Sequence, residues 1–518
     1  MPAHPRDPSG SGPAPTEREV KLHVPPEAWE GVRQSLRPAQ SRRLPLHAVY
    51  HDTPGRALAA AGIALRVRRE GERWVQTLKA GGTGLLARLE DNLALAAPAG
   101  GPAPAPDLAR HRRPAVRAAL RQALGLAPRQ AMPPLEAVFE VCVERLVREV
   151  AEGASRIEIA LDEGELVAGT RRLPVREIEF ELLEGSTGDL LQLARKWRER
   201  HGLWISLASK AARGHRLAQG LAPAPPAPGA APAYARDARL GAAAAAVLEA
   251  ALGQVIAHAD AVAAGSPDEE PVHQLRTGLR RLRTALREWP PLAAEGGRYE
   301  EVLARSFRIL GAQRDREHVL RGLQDRIEAA AGRPFSFPEP EVPEAPAGGA
   351  EAPQAASAEA AARDPAFQDA LLALLARADA LGSGDEYDTP PRRALRPRLQ
   401  ALWRQVLDDG HRLRKLDIAL QHRVRKRLKR LRYLAESAAP LFPGRRLARF
   451  LEALAPAQEA LGRYNDTLVA VAACADLAPG DETAAFALAW LERRRRRQLA
   501  RSQAALRDLA QVRPFWEK

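Results

Sequence analysis

Charged residues recur at alternate positions in several short segments of the first half of the chain, and this alternation constrains the fold more than any other feature. In the segment 177–182, three carboxylates share one face of a predicted strand and three apolar side chains share the other. One such strand is typical of an antiparallel sheet with a solvated face. Repetition of the pattern with both signs of charge predicts a closed barrel that has a polar interior and apolar outer faces covered by helices. The alternation itself leaves open whether the charged face points inward.

Composition divides the chain into two parts. Short alternating segments dominate before a Pro/Ala-rich stretch, and long Leu/Ala/Arg stretches with helical spacing follow it. The predicted fold class is α+β and multidomain: an antiparallel barrel with flanking helices, followed by an all-α domain. The predicted boundaries are a disordered tail at 1–15, the β-rich domain at 16–217, a linker at 218–236, and the helical domain at 237–518 with a low-complexity insertion at 338–364.

The net charge of +14 predicts an anionic partner, which could be nucleic acid, a membrane surface or phosphate. Two cysteines exclude a disulfide scaffold and favour a reducing compartment. No apolar run approaches the roughly 18–20 residues of a membrane span, and the N-terminus lacks the apolar core of a signal peptide. We therefore expect a cytoplasmic protein without a membrane partner. The oligomeric state stays open.

A series of motifs in the β-rich part resembles the CYTH superfamily, also called triphosphate tunnel metalloenzymes. In order along the chain they are Glu17-x-Glu19-x-Lys21, YHDT at 50–53, LRVR at 65–68, TLK at 77–79, RLE at 88–90, Arg145, IEIALDEGE at 157–165, EIEFE at 177–181 and SKAARG at 209–214. The resemblance implies an eight-stranded antiparallel tunnel that binds a triphosphate along its length. The superfamily includes inorganic and thiamine triphosphatases, fungal RNA triphosphatases and class IV adenylate cyclases.

The same resemblance implies roles for individual side chains. Phosphate oxygens would be bound by Arg66, Arg68, Lys79, Arg88, Arg145 and Lys210. The cation, Mg²⁺ or Mn²⁺, would be bound by Glu17, Glu19, Asp162, Glu177 and Glu179, because oxygen-only ligands suit a hard cation better than zinc. Glu177 and Glu179 would orient the attacking water, and Lys21 would accept a proton or hold an oxygen. For Glu90, Glu158 and Glu181, pairing with other charges of the tunnel wall is an equal alternative to a role in binding.

The helical part contains an internal duplication. The segment 273–283 reappears as 422–432, and 310–315 parallels 461–466. In both copies a histidine and several cations fall on one helical stripe, and apolar residues on the opposite stripe are predicted to be buried. A single basic stripe is usually solvated. Two copies favour a shared anion-binding surface, because like charges on one helix face repel each other unless an anion offsets them.

These repeats resemble the CHAD domain over about residues 235–515. The resemblance implies two pseudo-symmetric helical bundles whose basic faces bind inorganic polyphosphate. The corresponding positions are His273, Arg276, Arg280, Arg283, His422, Arg425, Lys429, Arg432 and Tyr433.

The leading functional hypothesis is metal-dependent hydrolysis of inorganic triphosphate in the tunnel, with polyphosphate bound by the helical domain. A second enzyme hypothesis is thiamine triphosphatase or class IV adenylate cyclase activity, which needs a pocket for an organic group. A third is a non-enzymatic scaffold that binds polyphosphate or associates with polyphosphate granules. Binding of nucleic acid is disfavoured because the basic stripes contain almost no aromatic residues for base stacking. The absence of a GxxxxGK[ST] loop argues against an ordinary P-loop NTPase.

Overall fold

The structure, a computed structural model, describes residues 16–71, 73–82, 84–96, 103–127, 130–221, 229–314, 319–337, 357–384, 386–475 and 481–517. The predicted tail at 1–15 and part of the predicted linker, 222–228, lie outside these ranges. The chain forms two compact units. The first contains Met1–Ala227, Ile256–Pro267 and Gln368–Asp379, and the second contains Pro228–Val255, Asp268–Phe367 and Ala380–Lys518. The first unit therefore includes two stretches from beyond the predicted linker.

A closed antiparallel barrel of eight strands forms the centre of the first unit. The strands are β1 (Thr16–His23), β2 (Arg42–Asp52), β3 (Ala64–Glu70), β4 (Arg73–Gly81), β5 (Ala87–Leu95), β6 (Glu136–Glu152), β7 (Ser155–Ala168) and β8 (Arg171–Glu184), and a short β9 (Trp204–Ile205) pairs with β1. Their order is β5-β4-β3-β2-β6-β7-β8-β1, and pairing of β1 with β5 closes the ring. The predicted closed barrel is confirmed.

Helices cover much of the outer face of the barrel. They are α1 (Trp29–Ser35), α2 (Ala57–Ala60), α3 (Pro114–Ala123) and α4 (Thr187–His201), whereas α5 (Lys210–Ala218) packs against the inner face. Phe180 of β8 is fully buried and its ring contacts Trp197 of α4 at 6.0 Å between centroids. Leu65 and Leu78 pack in one cluster with Leu120 of α3. Apolar side chains of the alternating strands thus turn outward under these helices, as the period-2 pattern predicts.

One part of the inner face of the barrel is apolar, which differs from the predicted polar interior with apolar side chains on the outer faces. Strand register places Ala48 opposite Arg68, and hence on the same inner face. Ala48 belongs to a buried cluster with Val141, Val143 and Phe139, against which α5 packs. Gly214 of α5 permits this close approach, because a Cβ atom there would lie 2.1 Å from the Phe139 ring. The inner face is therefore charged in one section and filled with apolar side chains in another.

The second unit is helical. Its helices, with those that extend into the first unit, are α6 (Leu240–Ala263), α7 (Glu269–Glu288), α8 (Ala293–Arg314), α9 (Arg321–Ala331), α10 (Ala358–Arg363), α11 (Pro365–Ser383), α12 (Pro391–His411), α13 (Ile418–Ser437), α14 (Gly444–Ala475) and α15 (Glu482–Leu509). Helices α7 and α13 carry the duplicated motif. Their apolar stripes, Leu275, Leu279 and Leu282 in α7 and Val424, Leu428 and Leu431 in α13, are buried as predicted.

The predicted insertion and the duplicated motif are both only partly covered by the described residues. Residues 338–356 of the predicted insertion and Asp315 of the duplicated motif lie outside the described residues. Within the remaining part of the insertion, Ala358–Arg363 form a helix that Ser357 caps by accepting a hydrogen bond from the Ala360 amide. An Ala/Glu-rich stretch of biased composition is also a good helix former, and the bounds of the insertion stay a prediction.

Helix α6 is long and apolar enough to cross a membrane by length and composition, with a mean hydropathy of 1.7 over its best 18 residues. The expectation that no apolar run approaches a membrane span is therefore wrong. In the structure 67% of that 18-residue window is buried inside the protein. A helix that is apolar on all sides and buried in this way is also what a protein core contains.

Candidate functional site

One set of charged side chains of the first unit, drawn from β1, β4, β6 and β8, faces the interior of the barrel. The ammonium group of Lys79 on β4 lies 2.8 Å from Glu17 on β1, although β5 separates these strands. Arg145 on β6 likewise contacts Glu179 on β8 at 2.7 Å across β7. Ion pairs that skip a strand form on the concave side of a closed sheet, where side chains converge. The sequence left open whether these charged strand faces point into or out of the barrel. The ion pairs show that they point inward.

Three carboxylates lie together at the centre of the charged section. They are Asp162 on β7 and Glu177 and Glu179 on β8, and one oxygen from each lies within 4.8 Å of the others. Lys210, the first residue of α5, contacts all three: Asp162 at 2.7 Å, Glu179 at 3.0 Å and Glu177. Arg145 binds Asp162 through two N–H groups at 2.7 Å each. A buried cluster of negative charge is thus neutralised by the protein's own cations.

The pairing sets the protonation states of this cluster. Burial raises the pKa of Glu179, but Lys210, Arg145 and Lys21 outweigh burial and hold the pKa well below its usual range. Burial lowers the pKa of Lys210, but the three carboxylates raise it by more, and the net shift is upward. The carboxylates therefore stay ionised and Lys210 stays charged near neutral pH.

A second group of charges contains the first two predicted carboxylate ligands. Lys79 lies between Glu17 at 2.8 Å and Glu90 at 3.0 Å, and Arg88 contacts Glu19 at 3.1 Å. Burial and a hydrogen bond to Glu90 raise the pKa of Glu17. The structure thus does not bring Glu17 and Glu19 into the group of three close carboxylates. Instead they pair with two predicted phosphate ligands, Lys79 and Arg88.

Two predicted phosphate ligands are less completely paired. Arg68 binds Glu70 at its own strand end, with the Nε–Oε1 distance at 2.8 Å. Arg66 interacts with the Tyr50 hydroxyl and Glu90, and its buried Nε has no hydrogen-bond partner among the described residues. Buried guanidinium N–H groups without partners are unfavourable. A phosphate oxygen at this point would satisfy Arg66.

Some contacts in the interior were not predicted. Arg213, one turn after Lys210 in α5, binds Glu177. Lys21 donates a hydrogen bond of 2.7 Å to the Ala208 carbonyl and lies 3.5 Å from Glu177, and burial lowers the pKa of Lys21. Burial and the neighbouring Glu181 raise the pKa of Glu158. The SKAARG motif contained the signal for Arg213, since positions 210 and 213 share one helix face.

The close carboxylates fit a hard divalent cation. All three offer oxygen atoms only, which is the ligand type that Mg²⁺ and Mn²⁺ prefer. Their mutual distances allow one ion to contact all three. The ammonium of Lys210 already contacts each of them, so this is a position at which the protein favours positive charge.

In the helical unit, one aromatic ring organises the basic stripe of α7. The guanidinium carbons of Arg276, Arg280 and Arg283 lie 5.2, 5.0 and 5.7 Å from the ring centroid of Phe307 on α8. Arg283 also binds Glu300 at 2.5 Å. Cation–π contacts hold guanidinium groups without neutralising them. Phe307 therefore positions the three arginines, and Glu300 in addition pairs with Arg283.

In the second copy of the motif, a side-chain amide takes the place of the aromatic ring. By the spacing of the duplication, Gln458 on α14 corresponds to Phe307. Its side-chain oxygen accepts a hydrogen bond of 2.8 Å from Arg432, the counterpart of Arg283. Tyr433 of α13 lies over Arg281 of α7, 6.0 Å from guanidinium carbon to ring centroid. Neither Phe307 nor Gln458 was predicted, because both lie outside the repeated motif.

The two basic stripes act on each other electrostatically. Burial, Arg425 on the same helix, and Arg280 and Arg276 on α7 lower the pKa of Lys429 to about 6, although Asp466 opposes the shift. Burial and Arg425 also lower the pKa of His422. These residues of both copies thus share one field of positive charge. Of the predicted anion-binding residues, Arg276, Arg280, Arg425 and Lys429 are thus close enough to repel one another.

Two protein families match the chain. The CYTH domain matches residues 15–215 and the CHAD domain matches residues 246–475. An inorganic triphosphatase of Haemophilus influenzae is 32% identical over 209 residues, which cover 39% of this chain and 54% of the relative. The chain thus spans about half the length of this curated relative.

Solved structures resemble each part of the chain. A CHAD domain from the plant Ricinus communis is 26% identical and covers 56% of this chain and 97% of its own, with a TM-score of 0.43. An adenylyl cyclase candidate from Hippeastrum, described as having a dominant triphosphatase activity, is 19% identical. It covers 40% of this chain and 97% of its own, with a TM-score of 0.29.

Proposed function

Because the chain joins a CYTH domain to a CHAD domain, we propose that its barrel hydrolyses inorganic triphosphate with Mg²⁺ or Mn²⁺ and that its helical unit binds inorganic polyphosphate. One observation carries the proposal for the barrel. A single enclosed interior holds three ionised carboxylates suited to a cation, next to guanidinium and ammonium groups suited to phosphate. The triphosphatase relative supports the same reaction class.

The paired state of the interior explains how substrate and cation would bind together. Lys210 and Arg145 occupy the oxygens of Asp162, Glu177 and Glu179. A triphosphate offers these two cations phosphate oxygens instead, and the released carboxylates can then hold Mg²⁺ or Mn²⁺. Binding of the triphosphate and binding of the cation thereby favour each other. When bound, the cation would neutralise the triphosphate and lower the pKa of the attacking water.

The chain's own residues then position the reaction. Arg66, Arg68, Lys79, Arg88 and Arg145 would hold the phosphate oxygens and stabilise charge on the transferred group. Glu177 and Glu179 would orient the water for in-line attack. Lys21, held by the Ala208 carbonyl beside Glu177, has a lowered pKa that suits a proton acceptor at its Nζ atom.

Phosphate release tests the substrate. We expect the protein to hydrolyse tripolyphosphate faster than ATP or thiamine triphosphate with Mg²⁺ or Mn²⁺. Faster release from thiamine triphosphate, or cyclic AMP formation from ATP, would contradict the inorganic substrate. No turnover of any of these compounds would favour a non-enzymatic scaffold.

Competition tests the helical unit. Its basic stripes hold many cations and few aromatic rings, with Phe307 beside arginines of α7 and Tyr433 beside Arg281, and a phosphate polymer needs only the cations. We expect long-chain polyphosphate to displace a labelled polyphosphate at far lower concentration than single-stranded RNA of equal charge. Equal displacement by the two polymers would contradict a preference for polyphosphate.

A further inference from the structure

A second cluster of potential metal ligands lies on the outer face of the barrel. His47 on β2, and Glu140 and Cys142 on β6, each offer one ligand atom, and these atoms lie within 4.8 Å of one another. Strand register fixes the arrangement, since His47 pairs directly with Cys142 and Glu140 lies two residues from Cys142 on the same face. Their strand neighbours Ala48 and Val141 face the interior, so this cluster points outward.

The cluster is accessible and partly organised. The side chains of His47 and Glu140 are 48% and 49% exposed, and Nε2 of His47 lies 2.7 Å from Oε2 of Glu140. Glu165 of β7 pairs with Cys142 on its other side and is itself bound by Arg172. The arrangement resembles a carboxylate–imidazole pair with a thiol at ligand distance.

An activated thiol is the main alternative role for Cys142. Reactive cysteines have a lowered pKa and lie near positive charge. Burial, Glu140 and Glu165 instead raise the pKa of Cys142. A neighbouring cation would stabilise the thiolate and would also neutralise the carboxylates. The metal-ligand role rests on the geometry, in which His47 and Glu140 each place a ligand atom within 4.8 Å of the sulfur of Cys142.

We propose that His47, Glu140 and Cys142 form a zinc-class metal site that links β2 to β6 on the outside of the barrel. Sulfur, imidazole nitrogen and carboxylate oxygen are the ligands that Zn²⁺ takes, whereas Mg²⁺ and Mn²⁺ prefer oxygen alone. Binding forms a metal–sulfur bond, and the thiol proton leaves to solvent. Three protein ligands leave the fourth tetrahedral position to water. The site is separate in place and in chemistry from the oxygen-only cluster in the interior.

Cobalt(II) is a spectroscopic substitute that tests this site directly. Full-length, tag-free protein in a phosphine reductant is titrated with Co²⁺ in the presence of excess Mg²⁺, which occupies oxygen-only sites. We expect one Co²⁺ per chain with a thiolate-to-cobalt charge-transfer band, and Zn²⁺ should remove the band. The Cys142→Ser variant should lose the band, and His47→Gln should bind at least about tenfold more weakly.

Two matched controls separate this site from other ligands. Glu144→Gln removes a carboxylate two residues along the same outer face, where it lies 3.6 Å from Arg43, and should leave binding unchanged. Cys474→Ala removes the chain's other cysteine and should keep the band. A wild-type protein without a thiolate band, or a band that persists in Cys142→Ser, would show that the cluster is a simple hydrogen-bonded pair beside a thiol.

Discussion

The two units handle positive charge in opposite ways. Inside the barrel, Lys210, Arg145 and Lys79 each contact two or more carboxylates. On the helical stripes, Arg276 and Arg280 are held by a ring, and Lys429 lies in the field of three arginines and one carboxylate. In the barrel these cations are paired with carboxylates, whereas on the helical stripes neighbouring arginines lower the pKa of Lys429.

This difference predicts two kinds of anion binding. Removing one partner of a buried ion pair leaves an uncompensated charge, so the barrel must exchange partners rather than simply add a ligand. Exchange favours a small anion and a cation that enter together. The helical stripes gain directly from any polyanion that relieves their repulsion. Selective chemistry is therefore expected in the barrel and tight polymer binding on the helices.

The largest expected effect is on turnover in the barrel. We expect Glu179→Gln to reduce tripolyphosphate hydrolysis by about 10³-fold, because it removes a charge that holds the cation and orients water. Polyphosphate binding should not change. Glu163→Gln is the matched control, since Glu163 is exposed and contacts Arg176 at 3.9 Å on the outside. If both variants lose activity equally, the interior cluster is not the active site.

Substitutions in the helical unit should have the opposite effect, with loss of polymer binding and little change in turnover. Replacing Arg276, Arg280, Arg425 and Lys429 with Gln should weaken polyphosphate binding by about 10²-fold while the barrel's turnover stays largely intact. The control replaces four exposed arginines of α15, namely Arg493, Arg496, Arg497 and Arg501. Fluorescence anisotropy at fixed salt concentration measures the polyphosphate affinity of both quadruple variants. Equal losses in the two quadruple variants would mean that net charge, rather than the duplicated stripe, binds the polymer.

Partner exchange in the barrel can be tested by removing the resident ammonium. Lys210→Met should lower the free energy of unfolding by about 3 kcal/mol without divalent metal, because three buried carboxylates lose a shared partner. Mn²⁺ should restore the stability, and electron paramagnetic resonance should show Mn²⁺ binding about tenfold tighter than in the wild type when triphosphate is absent. Mn²⁺ affinity that is unchanged by the substitution would contradict competition between Lys210 and the cation.

The smallest expected effect is a pH dependence of polymer binding. The pKa of Lys429 is lowered to about 6 in the unliganded protein, and a bound polyanion favours its charged form. Binding then takes up a proton above pH 6, so affinity should rise as pH falls from 8 to 6 and level off below. Lys429→Arg stays charged and should reduce the rise by about fivefold. Identical pH profiles of the wild type and Lys429→Arg would contradict the lowered pKa of Lys429.

Sequence alternation predicted the strands and which charges share a face, because a period of two fixes the facing of side chains, and the resemblance to the CYTH superfamily supplied the individual interior residues. Alternation could not predict how those charges pair, since Lys79 meets Glu17 only after the sheet closes. For the same reason it missed that Lys210 sits among the three carboxylates, whereas Glu17 and Glu19 lie elsewhere. The apolar section of the inner face was also missed, because it depends on where α5 docks.

In the helical unit the repeated motif predicted the buried and basic stripes of α7 and α13. It did not predict Phe307 and Gln458, because the two copies differ at that position and a repeat search detects only what is shared. Helix α6 shows a different limit. Composition alone does not distinguish a buried core helix from one that crosses a membrane.

The most direct test of the account is the position of Mn²⁺ and triphosphate in crystals of the Lys21→Met variant, which keeps every carboxylate. Anomalous scattering should place Mn²⁺ on Asp162, Glu177 and Glu179, with the Lys210 ammonium moved onto a phosphate oxygen and Arg66 bound to another. Manganese or triphosphate on the outer surface of the barrel, with Lys210 still on its three carboxylates, would contradict the proposed site.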